Sequence, residues 1–173
     1  MAATGLLVLR VVVGLVLAAH GAQKLFGSWG GPGMAGWTGA MGKMRVRPPK
    51  AWAWISALSE LAGGLLFALG LLTPLGAFAI AGSMLVAIAA VHWPNGFWNT
   101  KRGYEFNLVI LAAVIGVALT GPGAYSLDAV LHLTFPEPAT FAILAIATLA
   151  GVATTLASRS PAQPVAAQKT AQT

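Results

Sequence analysis

The chain contains no cysteine in 173 residues. It therefore cannot itself run disulfide exchange, ligate an iron–sulfur cluster or hold haem through thioethers, and any redox role needs a bound cofactor or a partner. Charge is also scarce: charged side chains make up 8% of the sequence, hydrophobic ones 57%, and the mean hydropathy is +0.78. Soluble domains carry about 25% charged residues, so the composition points to a polytopic membrane protein. The longest polar connection, 27–50, is too short for a separate catalytic domain. Proline is missing from five apolar runs, 4–26, 51–72, 75–93, 104–120 and 139–157, and all ten prolines fall outside them. That is where the roughly 3 kcal/mol cost of a helix-interior proline would put them.

Each run is apolar and long enough to cross a bilayer as a helix. The expected fold is all-α, a polytopic transmembrane helical bundle over 1–157 with a fifth, C-terminal span at 139–157. The first run lacks a basic segment before it and an Ala-x-Ala-like site after it, so it is expected to stay as a helix. Gly30-Gly31-Pro32-Gly33 breaks the chain, and Met34, Trp37, Met41 and Met44 then recur at helical spacing ahead of Lys43, Arg45, Arg47 and Lys50. This reads as an interfacial helix with a basic rim. The net charge of +6 lies beside the spans, where anionic lipid headgroups are nearer partners than nucleic acid, which is excluded. Residues 158–173, rich in Ala, Gln, Pro and Thr, read as a disordered tail.

The acids are only four, and Glu60 falls near the middle of the second span. An unpaired carboxylate there costs several kcal/mol, so it must be neutral, paired or hydrated. Ser56 and Gly64 share its stripe at a spacing of four, which predicts that Glu60 faces the bundle interior. Two readings stay open: a protonated Glu60 making an interhelical hydrogen bond, or a proton or substrate path. Arg10, His20 and Lys24 fall within about 80° of one another on the first helix. Arg10 either snorkels outward or reaches Glu60 from a neighbouring helix. Antiparallel threading predicts that His20, Lys24, His92, Glu105 and Asn107 converge at one level, forming a polar pocket rimmed by Trp29, Trp93, Phe97, Trp98 and Tyr104. Histidines on separate helices also admit haem or a metal, the smaller share of the reading because no paired-ligand spacing occurs and Lys24 would repel a cation.

With these residues in view, the chain resembles the DoxX family of small bacterial membrane proteins. The resemblance rests on the run from His20-Gly21-Ala22-Gln23-Lys24 through Phe26-Gly27 to Gly30-Gly31-Pro32-Gly33, and on Ser59-Glu60-Leu61-Ala62-Gly63-Gly64 with Gly70-Leu71-Leu72-Thr73-Pro74. His92, Asn95-Gly96-Phe97-Trp98, Gly103-Tyr104-Glu105-Phe106-Asn107, Gly121-Pro122-Gly123 and Ser126-Leu127-Asp128 complete it. It implies a four-helix core, beyond which 139–157 is this chain's departure. It also implies a bacterial inner-membrane location and a protein partner in a redox or respiratory complex, as a subunit of a quinone-linked oxidoreductase. In that reading His20 or His92 hydrogen-bonds a quinone carbonyl, Glu105 or Glu60 delivers protons, Lys24 balances negative charge, and Trp93, Trp98 and Tyr104 flank the ring. The alternative is a non-catalytic scaffold or assembly subunit. A transporter is disfavoured because no inverted repeat or broken helix is visible.

Lys43, Arg45, Arg47, Lys50, Lys101, Arg102 and Arg159 would all be cytoplasmic if the positive-inside rule holds, leaving the N-terminus outside and the C-terminus inside. Since no native cysteine interferes, a membrane-impermeant maleimide added outside intact cells should label a cysteine placed beside Asp128 and miss one beside Arg45. The opposite labelling pattern would invert the topology.

Overall fold

The computed structural model describes residues 1–161, and they form an all-helical bundle. Its helices are α1 (Ala2–Phe26), α2 (Gly33–Lys43), α3 (Pro49–Leu69), α4 (Thr73–Ala87), α5 (Glu105–Thr120), α6 (Leu127–Val130) and α7 (Ala139–Ala157). Helix α4 runs on through a π segment, Ile88–His92, and a 3-10 turn, Trp93–Asn95. Four helices are long and apolar enough to cross a membrane: α1, α3, the extended Thr73–Asn95 and α7. At 16 residues, α5 is the short one, about 24 Å at 1.5 Å per residue. The helix beyond the family's expected core is thus full length, and the abbreviated one lies inside that core. The expected tail lies, from residue 162 onward, outside the described residues. Its first residues are paired: Ser160 N donates to Arg45 O at 3.0 Å and Arg159 Nε to Met44 O at 3.2 Å. These bonds fasten the end of α7 to the loop after α2.

Chain order gives the packing. Helix α1 lies on α3, α3 on α4, and α4 on both α5 and α7, with α2 against α3 and α1. The core is Leu17, Phe67, Phe78, Ile80, Met84, Ile110, Val114 and Val117, drawn from the α1, α3, α4 and α5 faces. Between α1 and α3 the contact is made by glycine: a Cβ on Gly64 would lie 2.5 Å from Ala18 N and 2.6 Å from Gly14 O, and one on Gly21 would run into the Leu61 backbone. Apolar side chains gain little from each other in lipid, so close backbone approach of small residues is what holds such a pair.

At the other end of the bundle two buried charges organise the turns. Asp128 caps α4 from outside that helix: its Oδ1 accepts from Leu72 N at 2.7 Å, and its Oδ2 from Thr73 N at 2.9 Å and Thr73 Oγ1 at 2.6 Å. A carboxylate satisfying orphan N–H groups at a helix N-terminus is favoured by charge and by hydrogen bonding. Helix α4 begins Thr73-Pro74, with no acid in its own first turn. Arg10 is fully buried and donates through Nη2 to Tyr125 O at 2.5 Å. Its guanidinium occupies the space a side chain would fill at Gly70, whose φ of 64° also suits glycine. Both expectations for Arg10 are therefore corrected. It neither snorkels nor reaches Glu60, because the 121–128 turn folds over it and supplies a carbonyl.

If the glycine seam holds α1 to α3, Gly64→Ala should cost about 1–3 kcal/mol through backbone overpacking. Gly116→Ala, where a Cβ meets nothing within 4 Å, should be neutral or stabilising by up to about 1 kcal/mol. Thermal unfolding in detergent compares the two, and equal effects would remove the seam from the account.

Candidate functional site

Glu60 sits on α3 with 3% of its surface exposed, facing the interior as its Ser56 and Gly64 neighbours predict. Lys24, in the last turn of α1, forms an ion pair with Glu60 Oε2. The other carboxylate oxygen accepts from Ser83 Oγ on α4 at 2.6 Å. Lys24 Nζ also stands 4.5 Å from the centroid of the Trp37 ring on α2, a cation–π contact that shields the ammonium from lipid. Four helices thus contribute one group each: ammonium, indole, carboxylate and hydroxyl. The seam explains the reach, since Gly21 lies against Leu61 and brings Lys24 to the level of Glu60.

This polar group forms part of the wall of a cleft of about 330 Å³ between α2, α3, α4 and α7, near the lower end of the size range of small-molecule pockets. Most of the remaining wall is apolar: Met41, Ile55, Phe78, Val86, Leu144 and Val152 line it, with Ala79, Gly82, Ala147 and Gly151 leaving the space. Ser59, Thr148 and Thr155 add hydroxyls, of which Thr155 Oγ1 is turned back on its own helix, to Gly151 O at 2.8 Å. Exposed Ile55, Leu75 and Val91 stand at the margin, so the cleft opens sideways on the bundle surface. Helix α7 supplies one wall, and its strap to the loop after α2 bounds the cleft at the Arg45 end.

Of the six residues expected to carry chemistry, only Lys24 and Glu60 line this cleft. The convergence of His20, Lys24, His92, Glu105 and Asn107 does not form. His20 lies on the exposed outer face of α1, because the contact face is set by Gly14, Leu17, Ala18 and Gly21 and His20 is turned about 100° from the last of these. His92 Nδ1 is 2.7 Å from Arg102 O, and Glu105 Oε2 accepts from Asn99 N at 3.0 Å, so both brace the 93–104 loop by separate contacts. Asn107 is buried and donates to Met84 Sδ at 3.4 Å. Trp93 stacks on Tyr104 at 5.3 Å and Phe97 packs edge-on against Trp98 and Tyr104, closing the same loop instead of rimming the cleft. Trp29 is exposed. With His20 and His92 apart, the two-histidine haem arrangement has no basis, and no group of three or more His, Asp or Glu is gathered among the described residues.

Sequence reasoning missed Ser83, Trp37 and Asp128 as partners. The small residues Ala79, Gly82 and Ser83, clustered on α4, were the available signal for the first. The Met-Trp pattern of α2 was the signal for the second.

The family model described as DoxX matches residues 5–93. A Bacillus subtilis (strain 168) protein named "Putative oxidoreductase CatD" is 32% identical over 124 residues, covering 72% of this chain and 84% of that protein. No solved structure matches.

An ion pair at membrane depth should show coupling. Lys24→Met and Glu60→Gln should each cost roughly 3 kcal/mol by stranding the other charge, while the double variant should cost clearly less than the sum. Glu60→Lys, which places two ammonium groups together, should be worst. Additive losses in thermal unfolding would mean that the two groups do not meet.

Proposed function

We propose, on the premise that the chain belongs to the DoxX family of multi-pass membrane proteins, that it serves a membrane redox complex by holding a neutral, ring-headed amphiphile of the quinone class in the cleft of α2, α3, α4 and α7. The observation that carries the reading is the charge balance of the cleft's polar pole. One cation and one anion cancel there, so the pole offers hydrogen bonds without net charge. A fatty-acid anion drawn to Lys24 would also meet Glu60, and a cationic amphiphile drawn to Glu60 would also meet Lys24, so either adds an uncompensated charge in a low dielectric. An uncharged carbonyl-bearing ring meets neither penalty, and the apolar remainder of the wall suits its tail.

A quinone bound there supplies two-electron, two-proton carrier chemistry, with electrons arriving from a partner subunit since the chain has no cysteine. The chain's own contribution is positional. Lys24, which keeps N–H groups beyond the one it gives Glu60, is the donor at the pole; Ser83 gives its one O–H to Glu60 and fixes that carboxylate beside Lys24, and Trp37 and Trp52 flank the Arg45 end. His20, His92, Glu105, Asn107, Trp93, Trp98 and Tyr104 take no part in this version of the site. The relative's name, an oxidoreductase, agrees in class. We place the Arg45 end in the cytoplasm and the protein in the bacterial inner membrane on the strength of the basic residues at that end. A scaffold role is the second reading, favoured by the long outer face of α7, where Ile143, Ile146 and Leu149 are all exposed.

A short-chain benzoquinone should raise the unfolding temperature of the detergent-purified protein; saturation at 100 times Kd corresponds to about 2.7 kcal/mol. Decanoate should not. Ser83→Ala, which removes the hydroxyl that fixes Glu60 Oε1 at the pole, should weaken binding about fivefold, the value of one hydrogen bond of about 1 kcal/mol. Ala147→Trp, which fills the cleft from the exposed α7, should abolish binding without unfolding the bundle. Equal shifts from decanoate, or benzoquinone binding unaffected by Ala147→Trp, would leave the scaffold reading.

A further inference from the structure

His20 lies at membrane depth, on the outside of the bundle, in an otherwise apolar stripe. The stripe runs along α1 through Val8, Val12, Val16 and His20, spaced four apart, with Leu15 three residues after Val12 beside it, and all are exposed. Depth follows from the seam: Gly21 packs on Leu61, which is twelve residues from one end of α3 and eight from the other. That is about 18 and 12 Å at 1.5 Å per residue, well inside a hydrocarbon layer of about 30 Å. The imidazole forms no side-chain hydrogen bond among the described residues, and lipid tails offer none. A polar group left so costs several kcal/mol, and the usual remedy is a partner in the membrane.

We infer that this face of α1 is an interface between two copies of the chain, with His20 of each hydrogen-bonded to His20 of the other. A two-fold axis along the membrane normal sets parallel helices side by side and brings each residue to its own equivalent. An imidazole can pair with its own equivalent there, because its neutral form carries one N–H donor and one bare acceptor nitrogen, whereas an ammonium or a carboxylate cannot. The acids of this chain point the same way, for none is free to serve a neighbour's His20. Glu60 is held by Lys24 and Ser83, Asp128 caps α4, Glu105 is bonded to Asn99 N, and Glu137 lies in the loop before α7, at the far end of the bundle. The outer face of α7 is equally exposed but carries Ile143, Ile146 and Leu149, which lipid alone covers without penalty. The glycines of α1 that contact α3 are on its other side, so pairing leaves the seam, the ion pair and the cleft undisturbed.

The cysteine-free chain allows a direct test. Single cysteines at Val12 and at Val16 should give disulfide-linked dimers in oxidised native membranes, and one at Ile146 should not. In liposomes carrying fluorophore-labelled full-length chain, energy transfer should report a dimer whose Kd rises about threefold in His20→Leu, the value of an average interhelical hydrogen bond. His20→Asn, which keeps a donor and an acceptor, should restore it, whereas a role in folding alone would not distinguish the two variants. The inference is overturned by absent crosslinks at positions 12 and 16, by equal crosslinking at Ile146, by adducts with a different protein in place of the dimer, or by a His20→Leu dimer as tight as the wild type.

Discussion

The close approach of α1 and α3 governs what the rest of the bundle can do. With Gly14, Gly21 and Gly64 in the contact, the two backbones come near enough for Lys24 on one helix to reach Glu60 on the other. A residue larger than glycine at these positions would spread the helices and lengthen the reach from Lys24 to Glu60. The same approach sets the rotation of α1. Arg10 is carried into the interior, Lys24 toward Glu60, and His20 to the outside.

Two buried charge systems follow, one near each end of the contact, and they do different work. The Arg10 and Asp128 system lies apart from the cleft: Asp128 holds the start of α4, Arg10 holds the turn that carries Asp128, and neither lines the cleft. The Lys24, Glu60 and Ser83 system is open on one side to an apolar cleft. Structural stapling suffices to explain the first. The second places donors, an acceptor and net neutrality beside space for a ligand, and on that difference the proposed function of this DoxX family protein rests. Helix α7 belongs to the same reasoning, because without it the cleft would lack a wall.

Much of this was legible in the sequence. Proline positions bounded the helices, the Ser56, Glu60 and Gly64 stripe turned Glu60 inward, and the Met-Trp spacing marked α2 as a helix. What stayed hidden was rotational phase between helices. Angles along one helix follow from 100° per residue, yet they do not say which face meets a neighbour: Arg10, His20 and Lys24 share one side of α1, and the contact with α3 turns the first and last inward and leaves His20 outside. Shared depth was likewise mistaken for shared location at His92, Glu105 and Asn107, whose bonds are to Arg102 O, Asn99 N and Met84 Sδ. The capping role of Asp128 was not legible because its partners at 72 and 73 lie more than fifty residues away, and only folding brings that turn over the start of α4.

The central claim is that the pole of the cleft is a balanced ion pair and not a protonated acid beside a neutral amine. Infrared difference spectroscopy of the protein in lipid, wild type against Glu60→Gln, tests it directly. The account predicts that the wild type contributes carboxylate bands lost in the variant and no protonated carboxyl C=O band attributable to Glu60. A protonated carboxyl band that vanishes in Glu60→Gln would contradict it.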